Sequence, residues 1–180
     1  MRIISGKYRA KKLYPPKNLP VRPTTDFAKE SLFNILNNRL DFEKVKVLDL
    51  FAGTGNISFE FASRGTLSIK AVDINSHCVD FIRKTAQELN FTNLNCIKSN
   101  VFQYLNNSIE TYDFIFADPP YELEESVKIP DLVFENKLLN EGGFLIMEHS
   151  RNLTFVDHPY FSEHRKYGNV NFSFFARPID

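Results

Sequence analysis

From residue 45 onward the chain alternates short apolar runs with amphipathic segments, and that alternation constrains its fold more than any other feature. Residues 45–51 read as a strand running into a glycine-containing turn, and residues 57–63 as the helix behind it. Residues 69–72 make a second strand ending at Asp73, followed by a helix marked by Val79, Ile82, Arg83, Ala86 and Leu89. A third strand over 94–97 leads to a short helix near 102–105; a fourth strand over 113–117 leads to a helix over 127–139 and a fifth strand over 143–148. Strands that alternate with helices predict a parallel, doubly wound α/β sheet. The last segment breaks the rhythm. Residues 161–167 and 170–175 flank Gly168-Asn169, a dipeptide suited to a tight turn, so the sheet is expected to end in an antiparallel hairpin.

The chain ahead of residue 45 has a different character. Arg2-Ile3-Ile4 and Lys12-Leu13-Tyr14 flank Ser5-Gly6-Lys7 and read as a small basic β-hairpin, while Pro15, Pro16 and Pro20 hold the following arm extended. Thr24, Thr25 and Asp26 offer an N-cap to a helix whose apolar face is Ala28, Leu32, Ile35, Leu36 and Leu40. This divides the chain into a hairpin and arm over 1–25 and an α/β domain over 26–180, together one compact unit.

That division also separates the charge. The 22 basic and 22 acidic residues cancel, yet seven of the bases (Arg2, Lys7, Arg9, Lys11, Lys12, Lys17 and Arg22) lie within residues 1–25, where there is no acid. The remaining 155 residues hold 15 bases against 22 acids, a net of −7. A polyanion-binding arm on an acidic body is one reading, and a solvated lysine-rich terminus is the other. Hydrophobic residues at 43% suffice for one core, so disorder is excluded. Two cysteines, Cys78 and Cys96, cannot form a disulfide framework, which fits a reducing, cytoplasmic setting. No apolar run is long enough to span a bilayer, and no apolar stretch follows the first basic residues as a signal peptide requires. His77, His149, His158 and His164 have no spacing that suggests a metal pair, so no metal is expected and these residues read as surface or helix-end groups. The 18 phenylalanines, with no tryptophan, read as core; Phe172 or Phe174 could instead stack on bases.

Ligands of an open α/β sheet bind beyond the carboxyl ends of its strands. At the first such end stands Asp49-Leu50-Phe51-Ala52-Gly53-Thr54-Gly55, where Gly53 and Gly55 permit a tight turn and close backbone approach. A dinucleotide fingerprint needs another small residue, Gly or Ala, three positions after Gly55, and Ser58 stands there; the Asp49 carboxylate suits a ligand with an amino group better than a pyrophosphate. Asp73, at the second strand end, either accepts hydrogen bonds from ribose hydroxyls or caps the next helix. Asn100, after the third strand, reads as a turn residue or as a contact for an adenine edge. The most specific signal is Asp118-Pro119-Pro120-Tyr121, directly after the fourth strand. Two prolines stiffen the backbone and remove two donors, leaving carbonyls and a carboxylate as acceptors beside an aromatic ring. Such a site can hold a planar base and accept both protons of an exocyclic amine.

Together these features resemble the S-adenosylmethionine-dependent class I methyltransferases with a Rossmann-like fold, in the branch that methylates amines through an Asp/Asn-Pro-Pro-Tyr/Phe motif. The segments Arg2-Ile3-Ile4-Ser5-Gly6-Lys7-Tyr8-Arg9, Lys11-Lys12-Leu13, Arg22-Pro23-Thr24-Thr25-Asp26 and Glu30-Ser31-Leu32-Phe33-Asn34 are similar to the RsmD family, and so are residues 48–55, Ala62-Ser63-Arg64-Gly65, residues 113–121 and Lys166-Tyr167-Gly168. Members of that family methylate N2 of a guanine in small-subunit (16S) ribosomal RNA. The resemblance implies a methyltransferase domain over 26–180, with S-adenosylmethionine as methyl donor and no metal. It places Asp49, Phe51, Ala52, Gly53 and Gly55 around the methionine part of the cofactor, Asp73 and Ile74 at the ribose, Asn100 and Val101 at the adenine, and Arg22 and Thr24 at the cofactor mouth. Asp118, Pro119, Pro120 and Tyr121 are the implied catalytic residues, and Arg2, Lys7, Arg9, Lys11, Lys12 and Arg22 the implied RNA-binding ones. The implied partner is ribosomal RNA, free or within an assembling subunit, with no membrane association and a monomer as the default. Other readings keep the chemistry on adenine N6 or a protein glutamine, or make the chain a nicotinamide oxidoreductase or a non-catalytic RNA-binding module.

Overall fold

The computed structural model describes residues 1–19, 21 and 25–177. Among them a seven-stranded sheet has the order β3-β2-β1-β4-β5-β7-β6. Its strands are β1 (Lys46–Leu50), β2 (Ser68–Asp73), β3 (Leu94–Lys98), β4 (Tyr112–Ala117), β5 (Leu139–His149), β6 (Phe161–Tyr167) and β7 (Val170–Ala176). The first five strands are mutually parallel, and β7 runs antiparallel to both β5 and β6. The helices are α1 (Asp26–Leu36), α2 (Asn56–Ser63), α3 (Ser76–Glu88), α4 (Val101–Asn107) and α5 (Ile129–Glu135). This is the doubly wound sheet with a terminal hairpin that the alternation predicts. The chain steps outward from β1 to β3, then returns to the other side of β1 at β4, and that reversal opens a crevice at the carboxyl ends of the two central strands.

Side-chain alternation builds two apolar layers. Along β4, Phe114 and Phe116 face a layer shared with Leu32, Phe33, Phe59, Phe61 and Ile82 of α1, α2 and α3. Ile115 and Ala117 face the opposite layer, with Leu105 of α4 and Val133 of α5. Central strands buried on both faces need near-continuous apolar sequence, and Asp49 is the buried polar exception in β1. Phe172 and Phe174 are buried in β7, which removes base stacking as their role. Among the described residues no helix is long and apolar enough to cross a membrane.

Several boundaries differ from the sequence reading. The helix expected over 127–139 is a 3-10 turn over Glu124–Lys128 followed by α5, and Leu139 already belongs to β5. Pro130 has no N–H to donate and so suits the first turn of α5; Lys137, at φ +53, ends the helix. α1 stops at Leu36, and Leu40 reaches the same core from the turn beyond it. Thr25 is the cap of α1, its Oγ1 accepting the Ala28 N–H at 3.2 Å. His149, expected at the surface, is buried in β5: its ring bonds the Ser173 Oγ at 2.8 Å, and burial lowers its pKa.

The amino-terminal hairpin narrows to one bridge, Arg2 with Lys12. Residues 5–10 instead turn against the end of α2, where the Lys7 N–H donates to the Ser63 carbonyl at 2.7 Å and the Tyr8 N–H to the Ser63 Oγ at 3.0 Å. Gly6 makes this approach possible. It sits at φ +82, and a Cβ there would lie 1.9 Å from the Ser63 carbonyl oxygen.

Candidate active site

A cleft of about 650 Å³ opens at the carboxyl ends of β1, β2 and β4, within the range of small-ligand sites. The first wall is the turn after β1. Phe51 holds φ +58, an uncommon conformation for a side chain of its size, and Gly55 caps α2 at φ +76 with Phe59 and Ile82 packed where a Cβ would stand. Phe51, Ala52 and Gly53 line the cleft, and Gly55 lies behind them.

Asp49 lies at the bottom of this wall, only 2% exposed. The Ser58 Oγ donates to its Oδ2 at 2.5 Å. Burial pushes its carboxyl up to about 7, the nearby Asp73 charge adds to the rise, and the Ser58 bond opposes it. A carboxyl in that state is poised between neutral and charged near neutral pH, and a cation in the cleft would drive it to ionise. Ser58, which breaks the dinucleotide fingerprint, is thus the donor that holds Asp49. The sequence signal for it was a lone hydroxyl in the otherwise apolar Ile57-Ser58-Phe59.

The second wall follows β2 and β3. Asp73 accepts the Gly53 N–H on Oδ2 and the Asn75 N–H on Oδ1, both at 2.8 Å, so it braces the first turn against the second; Asn75, not Asp73, caps α3. Ile74 turns outward into the cleft with 63% of its surface exposed, which suits a flat apolar ligand face. Asn100 caps α4, its Oδ1 accepting from Phe102 and Gln103. That leaves its NH2 group as what it can offer a ligand, with Val101 beside it in the wall.

The third wall is Asp118-Pro119-Pro120-Tyr121, leaving β4 and lining the same cleft. The Tyr121 hydroxyl donates to Glu148 Oε1 at 3.2 Å, and Glu148 is itself a cleft residue, buried near the end of β5. Sequence reasoning missed Glu148. Its signal was a single charge closing the apolar run of β5 at the end of the sheet where ligands bind.

Arg22 and Thr24 lie outside the described residues; their neighbours Val21 and Thr25 line the cleft. Arg2, Lys7, Arg9, Lys11 and Lys12 are all exposed on the docked arm, and Arg2 is ion-paired to Asp26 at 3.1 Å and to Glu30 at 3.4 Å. Met1 Sδ accepts from the cleft residue Thr54, so the arm begins at the edge of the cleft. Both cysteines are buried, with thiols pushed up to about 11 for Cys78 and about 12 for Cys96, and neither is a nucleophile at neutral pH.

The chain matches the family model described as Conserved hypothetical protein 95 over residues 1–176. It is 31% identical over 153 residues to the ribosomal RNA small subunit methyltransferase D of Buchnera aphidicola subsp. Baizongia pistaciae, covering 85% of this chain and 78% of that one. It is 30% identical over 151 residues to the protein of the same name from Escherichia coli strain K12, covering 82% and 71%. The solved structure of yhhF from Escherichia coli superposes with a TM-score of 0.85 at 26% identity, covering 97% of this chain and 96% of that one.

Proposed function

The chain belongs to the RsmD family of class I methyltransferases, and on that premise we propose that it methylates the exocyclic N2 amine of a guanine in small-subunit ribosomal RNA, with S-adenosylmethionine as donor. The observation that carries this reading is the position of Asp118-Pro119-Pro120-Tyr121. It leaves the strand beside the reversal point and faces the same cleft as Asp49 and Asp73.

The donor set of the cleft fits the cofactor. Asp49 answers an ammonium group, the Asp73 carboxylate lies where ribose hydroxyls would come, and Ile74, Val101 and the Asn100 amide suit an adenine. When bound, the cofactor supplies an electrophilic methyl group on a sulfonium. The chain supplies the rest. The Asp118 carboxylate and the Pro119 carbonyl accept the two N–H groups of the guanine amine, which draws its lone pair out of the ring and makes the nitrogen more tetrahedral. With the cofactor bound, the amine would take the methyl group from the sulfonium, which would leave as a neutral thioether, and the surplus proton of the amine would pass to solvent. Positioning and acceptors matched to the developing positive nitrogen supply most of the rate. By analogy with the removal of oxyanion-hole donors, deleting the Asp118 acceptor should cost about 2–4 kcal/mol of transition-state stabilisation.

The exposed bases of the arm suit RNA phosphates. The direct test incubates the protein with labelled S-adenosylmethionine and small-subunit RNA lacking the modification, naked and partly assembled, and maps the product by mass. N2-methylguanosine at one position is the expected result. Absence of transfer, or transfer to another base or to protein, refutes the reading.

A further inference from the structure

Asp118 and Glu148 leave adjacent parallel strands at the same level. The last paired residues of β4 and β5 are Ala117 and Met147, and the next residue on each strand is the carboxylate in question. Adjacent strands lie about 4.8 Å apart, and residues in register point to the same side of the sheet. Both residues line the cleft. Glu148 is 7% exposed, and the Tyr121 hydroxyl holds one oxygen of its carboxylate at 3.2 Å.

Two carboxylates in this arrangement present two sets of acceptors to a planar base entering between them and Tyr121. The Watson–Crick edge of guanine carries two neighbouring donor groups, the N2 amine and the N1–H. Adenine and cytosine place an unprotonated ring nitrogen at the corresponding position, whose lone pair a carboxylate repels. Asp118 and the Pro119 carbonyl are committed to the reacting amine. We propose that Glu148 is the specificity-determining residue that selects guanine, accepting the N1–H while the Tyr121 hydroxyl fixes the carboxylate in plane with the base. This assignment rests on the guanine-N2 reading above and explains why that amine, rather than the exocyclic amine of adenine, reacts. The hydroxyl bond also gives Tyr121 a second role beside its ring, because a phenylalanine could stack but could not orient Glu148.

The test replaces the mapped guanine with 2-aminopurine, which keeps the N2 amine but has an acceptor at N1. Ligated small-subunit RNA carries the single substitution, and the full-length protein is assayed on both RNAs under identical conditions. The wild type is expected to prefer guanine by roughly 100-fold or more in kcat/KM, since a site built around a hydrogen bond rejects an analogue lacking the donor. Glu148→Gln offers an amide that can donate to N1. It should lower kcat/KM on guanine about 10- to 100-fold and narrow the preference over 2-aminopurine at least tenfold, with cofactor affinity measured by calorimetry unchanged. A wild type that methylates both RNAs equally overturns the assignment, and that arm needs no variant to fold. A Glu148→Gln protein that slows on both bases by the same factor overturns it too, since a merely structural residue behaves that way. Tyr121→Phe should lose part of the guanine preference in the same direction. A wild type that leaves guanine itself unmodified refutes the guanine-N2 reading and this assignment with it, an outcome distinct from the other two.

Discussion

Lys29 Nζ lies 3.6 Å from Glu60 Oε2 with both side chains fully withdrawn from solvent. Glu60 also accepts the backbone N–H of Ile4 at 2.8 Å and of Ser5 at 3.0 Å, and Arg64 closes on its other oxygen at 3.0 Å. Lys29 in turn donates to the Arg2 carbonyl at 2.5 Å and to Oδ1 of Asn56, a cleft residue, at 2.8 Å. Burial lowers the lysine's pKa while Glu60 opposes the shift. One buried network thus fastens the basic arm to α1 and α2 and ends at the cleft.

Breaking this pair from the two sides should have unequal consequences. Glu60→Ala strands a buried ammonium and removes the acceptor of two backbone donors, and an uncompensated buried charge costs about 3–5 kcal/mol. Lys29→Met leaves Glu60 still held by Arg64 and both amides, so its loss should be smaller. Urea unfolding followed by circular dichroism reads both values. A larger loss for Lys29→Met would show that Glu60 is not the anchor.

Gly6→Ala probes the docking of the arm by geometry rather than charge. A Cβ 1.9 Å from the Ser63 carbonyl cannot be accommodated without moving backbone, and the positive φ adds about 1–3 kcal/mol of strain. The arm is expected to lift from α2, which limited proteolysis would report as faster cleavage within the first 20 or so residues. RNA affinity should fall, because the bases it carries lose their fixed position. Unchanged protease resistance would contradict the close packing at Ser63.

The alternation of strands and helices was legible because β1, β2 and β4 are short and mostly apolar and each stops at a polar or glycine-rich turn, signals that need no knowledge of neighbours. Asp118-Pro119-Pro120-Tyr121 was legible for the same reason, as a local sequence with its own chemistry. Ser58 was legible only as the break in the dinucleotide fingerprint: its structural value lies in Asp49, nine residues away, and only the turn of the chain at Gly55 brings them together. Lys29, Glu60 and Glu148 carry charges at positions that sequence patterns assign to solvent. Their burial depends on partners contributed by other segments; nothing local marks Lys29 and Glu60, and the one charge that closes the apolar run of β5 is all that marks Glu148. The helix over 127–139 failed because Leu132, Val133, Leu138 and Leu139 suit a helix face and a strand equally, and a positive φ at Lys137 decides between them.

Neutralising Lys7, Arg9, Lys11 and Lys12 together should separate RNA binding from cofactor binding. All four are exposed and none lines the cleft. Each phosphate deprived of its basic partner should reduce the slope of log affinity against log salt by about 0.7–0.9. Filter binding across a salt series measures the slope, and calorimetry with S-adenosylmethionine measures the other function, which should stay within about twofold. Equal losses in both would refute the division of labour between arm and cleft.

Asp49 gives the protein a pH dependence whose sign is set by its burial. Folding raises this carboxyl from the usual range to about 7, so the folded chain holds a proton that the unfolded chain releases above about pH 4. The contribution to stability is therefore fully present below about pH 4 and is lost as pH rises through about 7. Cofactor binding runs the other way. An ammonium group beside Asp49 favours the ionised form, so binding below pH 7 must expel the proton, and affinity should rise by up to about tenfold per unit between pH 5.5 and 7. Calorimetry in buffers of different ionisation enthalpy would detect that proton directly. In Asp49→Asn the proton release should vanish, affinity should fall, and stability between pH 5 and 8 should flatten relative to the wild type. Proton release that persists in the variant would assign the titration to another group and leave Asp49 without its role at the ammonium.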